Sequence, residues 1–118
     1  MKFIYLASPY THADPEVRKT RATLAALAAA HLMLAGVTVY SPIAHGHALA
    51  QVTPVLDAQS HSFWMDQCYP MLHHANALYI LRAPGWEQSN GVALEHVYAE
   101  THGKPIFVSY NGVDWNPA

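Results

Sequence analysis

The stretch from Gly85 to Glu95 contains the residue types and the spacing best suited to chemistry in this sequence. It follows the apolar run Ala77 to Leu81, which is typical of a buried strand, and it leads into a predicted helix. Ser89-Asn90-Gly91 stands at the start of that helix, where free backbone N–H groups can bind an anion. The glutamate that ends the stretch lies further into the helix, so the pattern predicts a carboxylate close to an anion site.

Two ordinary explanations of this pattern remain open at this point. Glu95 shares a helical stripe with Gly91 and Tyr98, beside apolar residues, and could either face a pocket or be a surface acid that favours the helix dipole. Ser89 or Asn90 could simply cap the helix, a role that is compatible with anion binding.

The elements that must position these residues alternate between strands and helices. Strands are predicted at 3–7, 37–40, 77–81 and 105–109, and helices at 14–35, 60–74 and 90–102. Residues 43–59 are predicted to be a loop with at most a short helical turn, and residues 111–118 a polar tail. The alternation predicts one α/β domain over residues 1–118, a Rossmann/flavodoxin-like three-layer sandwich with a four- to five-stranded parallel sheet.

Polar and aromatic residues are concentrated in the loops that follow the predicted strands. Ligands of such sheets bind outside the carboxyl ends of the strands, so we expect the pocket there. These loops cover 8–11, 41–47, 82–89 and 109–112.

Further candidates lie near this edge, each with a structural alternative. Asp66 could face the pocket or be solvated in the middle of its helix, and Arg21 could bind a phosphate or lie on a solvated helix face. His45 follows the second strand, which favours a pocket role over a metal site because no acid accompanies the His pairs at a recognised spacing. Aromatic rings could stack on a base or simply pack in the core; they are Tyr5, Tyr10, Trp64 and Trp86.

The composition excludes several classes of protein. The net charge is −2 with only six basic residues, which argues against a nucleic-acid polymer as partner but not against a small nucleotide. The single cysteine, Cys68, rules out an internal disulfide and a Cys-based zinc site. The apolar segment 22–39 is Ala-rich and interrupted by His31 and Gly36, so we expect a core helix and no membrane partner. The single cysteine, and a first apolar run too short for a signal peptide, predict a cytoplasmic protein.

Four segments occur in a characteristic order. Ile4-Tyr5-Leu6-Ala7-Ser8-Pro9-Tyr10 opens the chain, Asp66 lies on a helix before a strand, and Ser89-x-Gly91-x-x-x-Glu95 and Gly103-Lys104-Pro105 follow. Together they resemble the nucleoside 2-deoxyribosyltransferase-like superfamily over about residues 2 to 108. The His45-x-His47 loop and the turn at 85–87 resemble an uncharacterised small bacterial and phage branch of it.

This resemblance implies a mechanism and a set of site residues. Glu95 is implied to be a nucleophile that attacks C1′ of a nucleotide sugar, and Asp66 to orient the sugar or assist proton transfer. No metal or organic cofactor is implied, and relatives of this kind generally form homo-oligomers, here expected to be a dimer or tetramer. The residues expected to bind substrate are Tyr5, Ser8, Tyr10, Arg21, His45, Trp86, Ser89, Asn90 and Gly91.

One difference from the superfamily pattern, at Ser89, bears on whether the resemblance implies base transfer or hydrolysis. Transferases acting on free nucleosides typically have Asp at the position of Ser89, whereas serine is similar to deoxynucleoside 5′-monophosphate N-glycosidases, in which it helps to bind phosphate. We therefore expect a nucleotide N-glycosidase. The alternatives are a base-exchanging nucleoside 2-deoxyribosyltransferase, a non-catalytic nucleotide-binding module and a His-based metal protein.

Overall fold

A five-stranded sheet organises the chain, and the apolar run predicted at Ala77 to Leu81 is its central strand. The computed structural model describes residues 2–118, which form a mixed α/β fold with five helices. A short 3₁₀ helix, Trp86–Gln88, precedes the last α-helix. The elements are β1 (Ile4–Ala7), α1 (Pro15–Leu34), β2 (Val39–Tyr40), α2 (Pro42–Val52), α3 (Pro54–Asp57), α4 (His61–His74), β3 (Ala77–Leu81), α5 (Asn90–Thr101), β4 (Ile106–Ser109) and β5 (Asn116–Pro117).

The sheet is mostly parallel, with the strand order β2-β1-β3-β4-β5. Strands β1 to β4 run in the same direction, as the alternation of strands and helices predicted. The prediction of a wholly parallel sheet is wrong at β5, which pairs antiparallel with β4. This strand returns directly after a turn, so it needs no crossover helix.

Successive residues of β1 enter different hydrophobic clusters, as expected for a strand that is covered on both faces. Tyr5 and Ala7 pack in one cluster with residues of α4, β3 and α5. Leu6 packs in a second cluster with Ala28, Ala29 and Leu32 of α1. Three of the four residues of β1 are therefore buried, and its tyrosine points towards α4 and α5.

The predicted loop at 43–59 is wrong, because this segment contains α2 and α3. Each of these helices begins with a capping hydroxyl followed by proline at the first helical position, a strong start signal. Ser41 accepts from the N–H of Ala44 at 3.2 Å, and Thr53 accepts from that of Val55 at 3.3 Å.

The predicted polar tail packs against the rest of the fold. The Trp115 ring lies against Tyr79, with 4.9 Å between ring centroids. Gly112 lies beside Ala28 of α1, and its N–H donates to the Ser109 hydroxyl at 2.9 Å.

None of the helices within residues 2–118 is both long enough and apolar enough to cross a membrane.

Candidate functional site

The site is built where β1 meets α5, through a contact between Tyr5 and Glu95. Val92, Glu95 and Ala99 form the buried stripe of α5, so the glutamate is held against the sheet between two apolar residues. Only 6% of Glu95 is exposed. The hydroxyl of Tyr5 donates a hydrogen bond to Oε2 of Glu95. The surface-acid explanation of Glu95 is therefore wrong.

Burial controls the protonation of this pair. Loss of solvent raises the pKa of Glu95 to about 7, and the hydrogen bond from Tyr5 opposes that rise. Burial also raises the pKa of Tyr5, and the neighbouring Glu95 raises it further, so the phenol keeps its proton. The carboxyl group thus exchanges between its neutral and ionised forms near neutral pH, as catalytic carboxyl groups do.

The second carboxyl oxygen of Glu95 lies beside Gly91. A Cβ atom placed on Gly91 would be 3.9 Å from Oε1 of Glu95 and 3.9 Å from Oγ of Ser89. The same point is 3.8 Å from Cε1 of His61, at the start of α4. Because Gly91 has no side chain, the Glu95 carboxyl, the Ser89 hydroxyl and the His61 imidazole all border the space that a side chain would fill.

The start of α5 has the geometry of an anion site. The Ser89 hydroxyl caps the helix by accepting from the N–H of Val92 at 3.2 Å. Its own proton remains available to a ligand, and the N–H groups in the first turn of a helix have no intrahelical acceptors. Capping and anion binding are therefore compatible here.

Ser8 follows β1 at the same edge of the sheet. It is 5% exposed, and within residues 2–118 its hydroxyl has no hydrogen-bond partner. Buried hydroxyl groups usually find a partner, so an unsatisfied one at a strand end is a candidate for contact with a ligand. Its predicted substrate role gains this support and stays a prediction.

Asp66 is exposed to solvent, whereas Glu95 is buried. Asp66 is exposed on α4, whereas the inward stripe of that helix contains Met65, Cys68 and Leu72. Cys68 packs against the cluster that contains Tyr5, and burial raises the pKa of its thiol. The exposed side chain of Asp66 is not part of the buried contact between Tyr5 and Glu95, and its catalytic role stays a prediction.

The remaining predicted residues make contacts around the rim of this edge. Arg21 donates to the carbonyl of Thr11 at 2.8 Å, and its guanidinium lies against Gly85. Trp86 lies under the guanidinium of Arg82, at 4.5 Å from the ring centroid. Asn90 is exposed at the first position of α5.

Two further residues predicted to bind substrate, Tyr10 and His45, each lie in a tyrosine–histidine pair. The Tyr10 hydroxyl is 2.8 Å from Nδ1 of His47. His45 is exposed, with Nδ1 3.4 Å from the Tyr40 hydroxyl. These contacts place the first loop against α2.

Sequence reasoning missed His61 and Cys68 as neighbours of Glu95. The signal that could have found them is the helical stripe His61, Met65, Cys68 and Leu72, with its spacing of four, three and four residues.

Two surface depressions lie away from Glu95. One, of about 210 Å³, is between α1 and the end of β3, and the other, of about 390 Å³, is between the start of α1 and α2. Neither is lined by Glu95, Ser89 or His61. In the part of the chain that the structure describes, no three His, Cys, Asp or Glu side chains are grouped to hold a metal ion.

No curated protein matches the sequence. A family profile matches residues 2–111, a range that includes β1, the whole of α4 and α5, and thus every residue around Glu95. The family is described as a domain of unknown function, DUF1937, and the chain belongs to it.

Proposed function

We propose that this protein is an N-glycosidase that hydrolyses the base–sugar bond of a (deoxy)nucleoside 5′-monophosphate, on a Rossmann/flavodoxin-like three-layer fold. The nucleophile in this proposal is Glu95. The observation that supports it most directly is the arrangement of that carboxyl group: it is buried, Tyr5 bonds to Oε2, and Oε1 lies beside Gly91.

The environment of Glu95 suits a covalent step. A fixed carboxylate with one oxygen bonded presents the other oxygen in a defined direction, which lowers the entropy lost in the attack. Burial disfavours the charged form of Glu95 and raises its pKa to about 7. An ester to the sugar is neutral, so the same burial that penalises the carboxylate favours the glycosyl–enzyme intermediate.

The start of α5 suits the 5′-phosphate. The Ser89 hydroxyl, the free N–H groups of the first turn and the positive end of the helix dipole all favour an anion. Ser89 lies within the same small volume as Oε1 of Glu95. A serine here, in contrast to the Asp of nucleoside transferases, adds no negative charge against the phosphate.

The reaction follows the double displacement of retaining glycosidases. Oε1 of Glu95 forms a bond to C1′ while the bond from C1′ to the base breaks, and the electron pair of that bond leaves with the base. Water then adds to C1′ and loses a proton, the ester bond breaks, and the carboxylate is restored; this proton balances the one that the departing base takes up. The products are the free base and the sugar 5-phosphate.

The test is release of free base from a panel of ribo- and deoxyribonucleoside 5′-monophosphates and the matching nucleosides, followed by chromatography. We expect release from monophosphates by the wild type, and a loss of at least about 1000-fold in kcat for Glu95→Gln. Glu100→Gln is the matched control, since it makes the same change at an exposed position of the same helix.

Three outcomes would contradict the proposal. Folded wild type that releases no base from any compound would overturn the enzyme assignment. Full activity in Glu95→Gln would overturn the nucleophile. A new nucleoside formed when a second free base is added, in place of sugar phosphate, would identify base exchange instead of hydrolysis.

A further inference from the structure

The inward stripe of α4 connects the core to the candidate site. Met65 and Leu72 on this stripe are buried, and Cys68 is half-buried against the cluster of Tyr5. His61 continues the stripe at the first position of the helix, where it is exposed. Residues four positions apart on a helix lie on one face, so His61 stands at the open end of the face that contacts Tyr5.

His61 and Glu95 border the same volume. Cε1 of the imidazole is 3.8 Å, and Oε1 of the carboxyl 3.9 Å, from the position that a Cβ on Gly91 would occupy. Asp66 is five residues further along α4 and is exposed on another side of that helix. α4 therefore brings two titratable side chains next to Glu95, the half-buried thiol of Cys68 and the exposed imidazole of His61, and only the imidazole is open to solvent.

We infer that His61 is a further catalytic residue, the acid/base group that protonates the departing base and then deprotonates the attacking water. The inference rests on the proposed glycosidase function and names a residue for a task that the resemblance gave to Asp66. A retaining glycosidase needs a second titratable group across the scissile bond from its nucleophile.

The proton that His61 gives to the base in the first half of the reaction is recovered from water in the second half. In the first half, the imidazolium of His61 gives its proton to a nitrogen of the base as the bond to C1′ breaks and the bond from Oε1 of Glu95 forms. In the second half, the neutral imidazole takes a proton from water as the water oxygen bonds C1′ and the ester breaks. The imidazolium and the carboxylate are both restored, and one water is consumed.

The difference in exposure between the two groups fits their tasks. Glu95 is shielded, which favours ester formation, whereas the exposed His61 can exchange its proton with solvent. Imidazole is the side chain most often used for general acid–base catalysis.

The test compares two leaving groups. Unmodified deoxyguanosine 5′-monophosphate needs a proton on its departing base, whereas the N7-methylated nucleotide, whose base is already cationic, leaves without one. We expect His61→Gln to lower kcat on the unmodified nucleotide by about 100-fold or more and to leave kcat on the methylated nucleotide within a few-fold of wild type. His31→Gln, an exposed histidine on α1, is the control for the substitution itself.

The outcomes separate this inference from the proposed function. Equal loss on both nucleotides, or no loss on either, with an active wild type overturns the role of His61 and leaves the glycosidase proposal standing. Absence of base release by the wild type from every compound of the panel overturns both. Glu95→Gln should lose activity on both nucleotides, because the nucleophile is needed whichever base departs.

Discussion

At Glu95, burial and a single hydrogen bond act on the carboxyl group in opposite directions. Desolvation raises the pKa, the bond from Tyr5 lowers it, and the result of about 7 shows that desolvation dominates. The folded protein therefore binds a proton at this carboxyl group in a pH range where the unfolded chain, with its ordinary pKa of 4.5, has already released it.

This predicts that Glu95 makes stability fall as the pH rises. Below the unfolded pKa the carboxyl is neutral in both states and costs nothing. The penalty develops as pH rises from the unfolded to the folded pKa, and it is complete above the folded value. Between about pH 5 and about pH 8, we expect the wild type to lose roughly 2 kcal/mol of unfolding free energy relative to Glu95→Gln.

Urea denaturation of both proteins at these two pH values measures the difference. The comparison with Glu95→Gln removes the contributions of the nine histidines and the other carboxyl groups, which are shared. Parallel pH dependence in the two proteins would show that Glu95 titrates at its ordinary pKa.

The sequence predicted the residues of α5 better than those of α4. Ser89, Gly91 and Glu95 lie two to six residues apart at the cap and in the first turns of one helix, so their proximity follows from local geometry. The helical stripe of α4 places His61 on the inward face of that helix, but the packing of this face beside Glu95 is a long-range contact that the stripe alone does not predict. Asp66 was favoured by the resemblance, but the helical phase of α4 turns its side chain to solvent.

Among the secondary-structure elements, the start of α5 combines two roles in Ser89: it caps the helix, and it is proposed to bind the ligand. Ser89 caps the helix through the N–H of Val92, and it is also the proposed phosphate contact. A substitution by alanine would remove both, so it cannot separate them.

Ser89→Asp separates the two roles. Aspartate caps helices about as well as serine and favours the helix dipole, so we expect the thermal midpoint to change little. Its charge repels a phosphate, so we expect KM for nucleoside 5′-monophosphates to rise by about tenfold or more, with little change for nucleosides. A similar rise for both substrate classes would place the phosphate elsewhere.

Helix α2 was not predicted, although its start signal is present in the sequence. Ser41-Pro42 directly follows the predicted strand at 37–40 and is equally typical of a strand end, and Gly46 together with two histidines lowers the helix propensity of the segment. Tertiary contacts compensate: Gly46 faces Trp64 of α4, where a Cβ would be 3.5 Å from the indole ring.

For the whole molecule, the turn at Gly112 joins the last part of the chain to α1. Gly112 has φ +77°, and a Cβ placed there would be 3.0 Å from the Cβ and 3.4 Å from the Cα of Ala28. Gly36 also has a positive φ, of +88°, but nothing lies within 4 Å of a Cβ at that position.

The two glycines form a matched pair for a stability test. Alanine at either position costs about 1 kcal/mol of backbone strain. Gly112→Ala should cost about 1–3 kcal/mol more than Gly36→Ala, because the added methyl group presses on the backbone of α1. Equal shifts of the urea midpoint would show that the turn moves away from α1 freely.

The sequence predicted the four parallel strands because each is an apolar run between turn signals. It did not predict β5, because a two-residue strand has no periodicity of its own and exists only through its pairing with β4.

The shortness of β2 and β5 has a consequence for self-association. These two strands are the sheet edges, and each is only two residues long, with Pro117 in β5 lacking an N–H to offer. Neither edge presents a long row of unpaired N–H and C=O groups to a neighbouring molecule. Edge-to-edge strand addition, a common route to amyloid-like aggregates, is therefore disfavoured at both sides of this sheet.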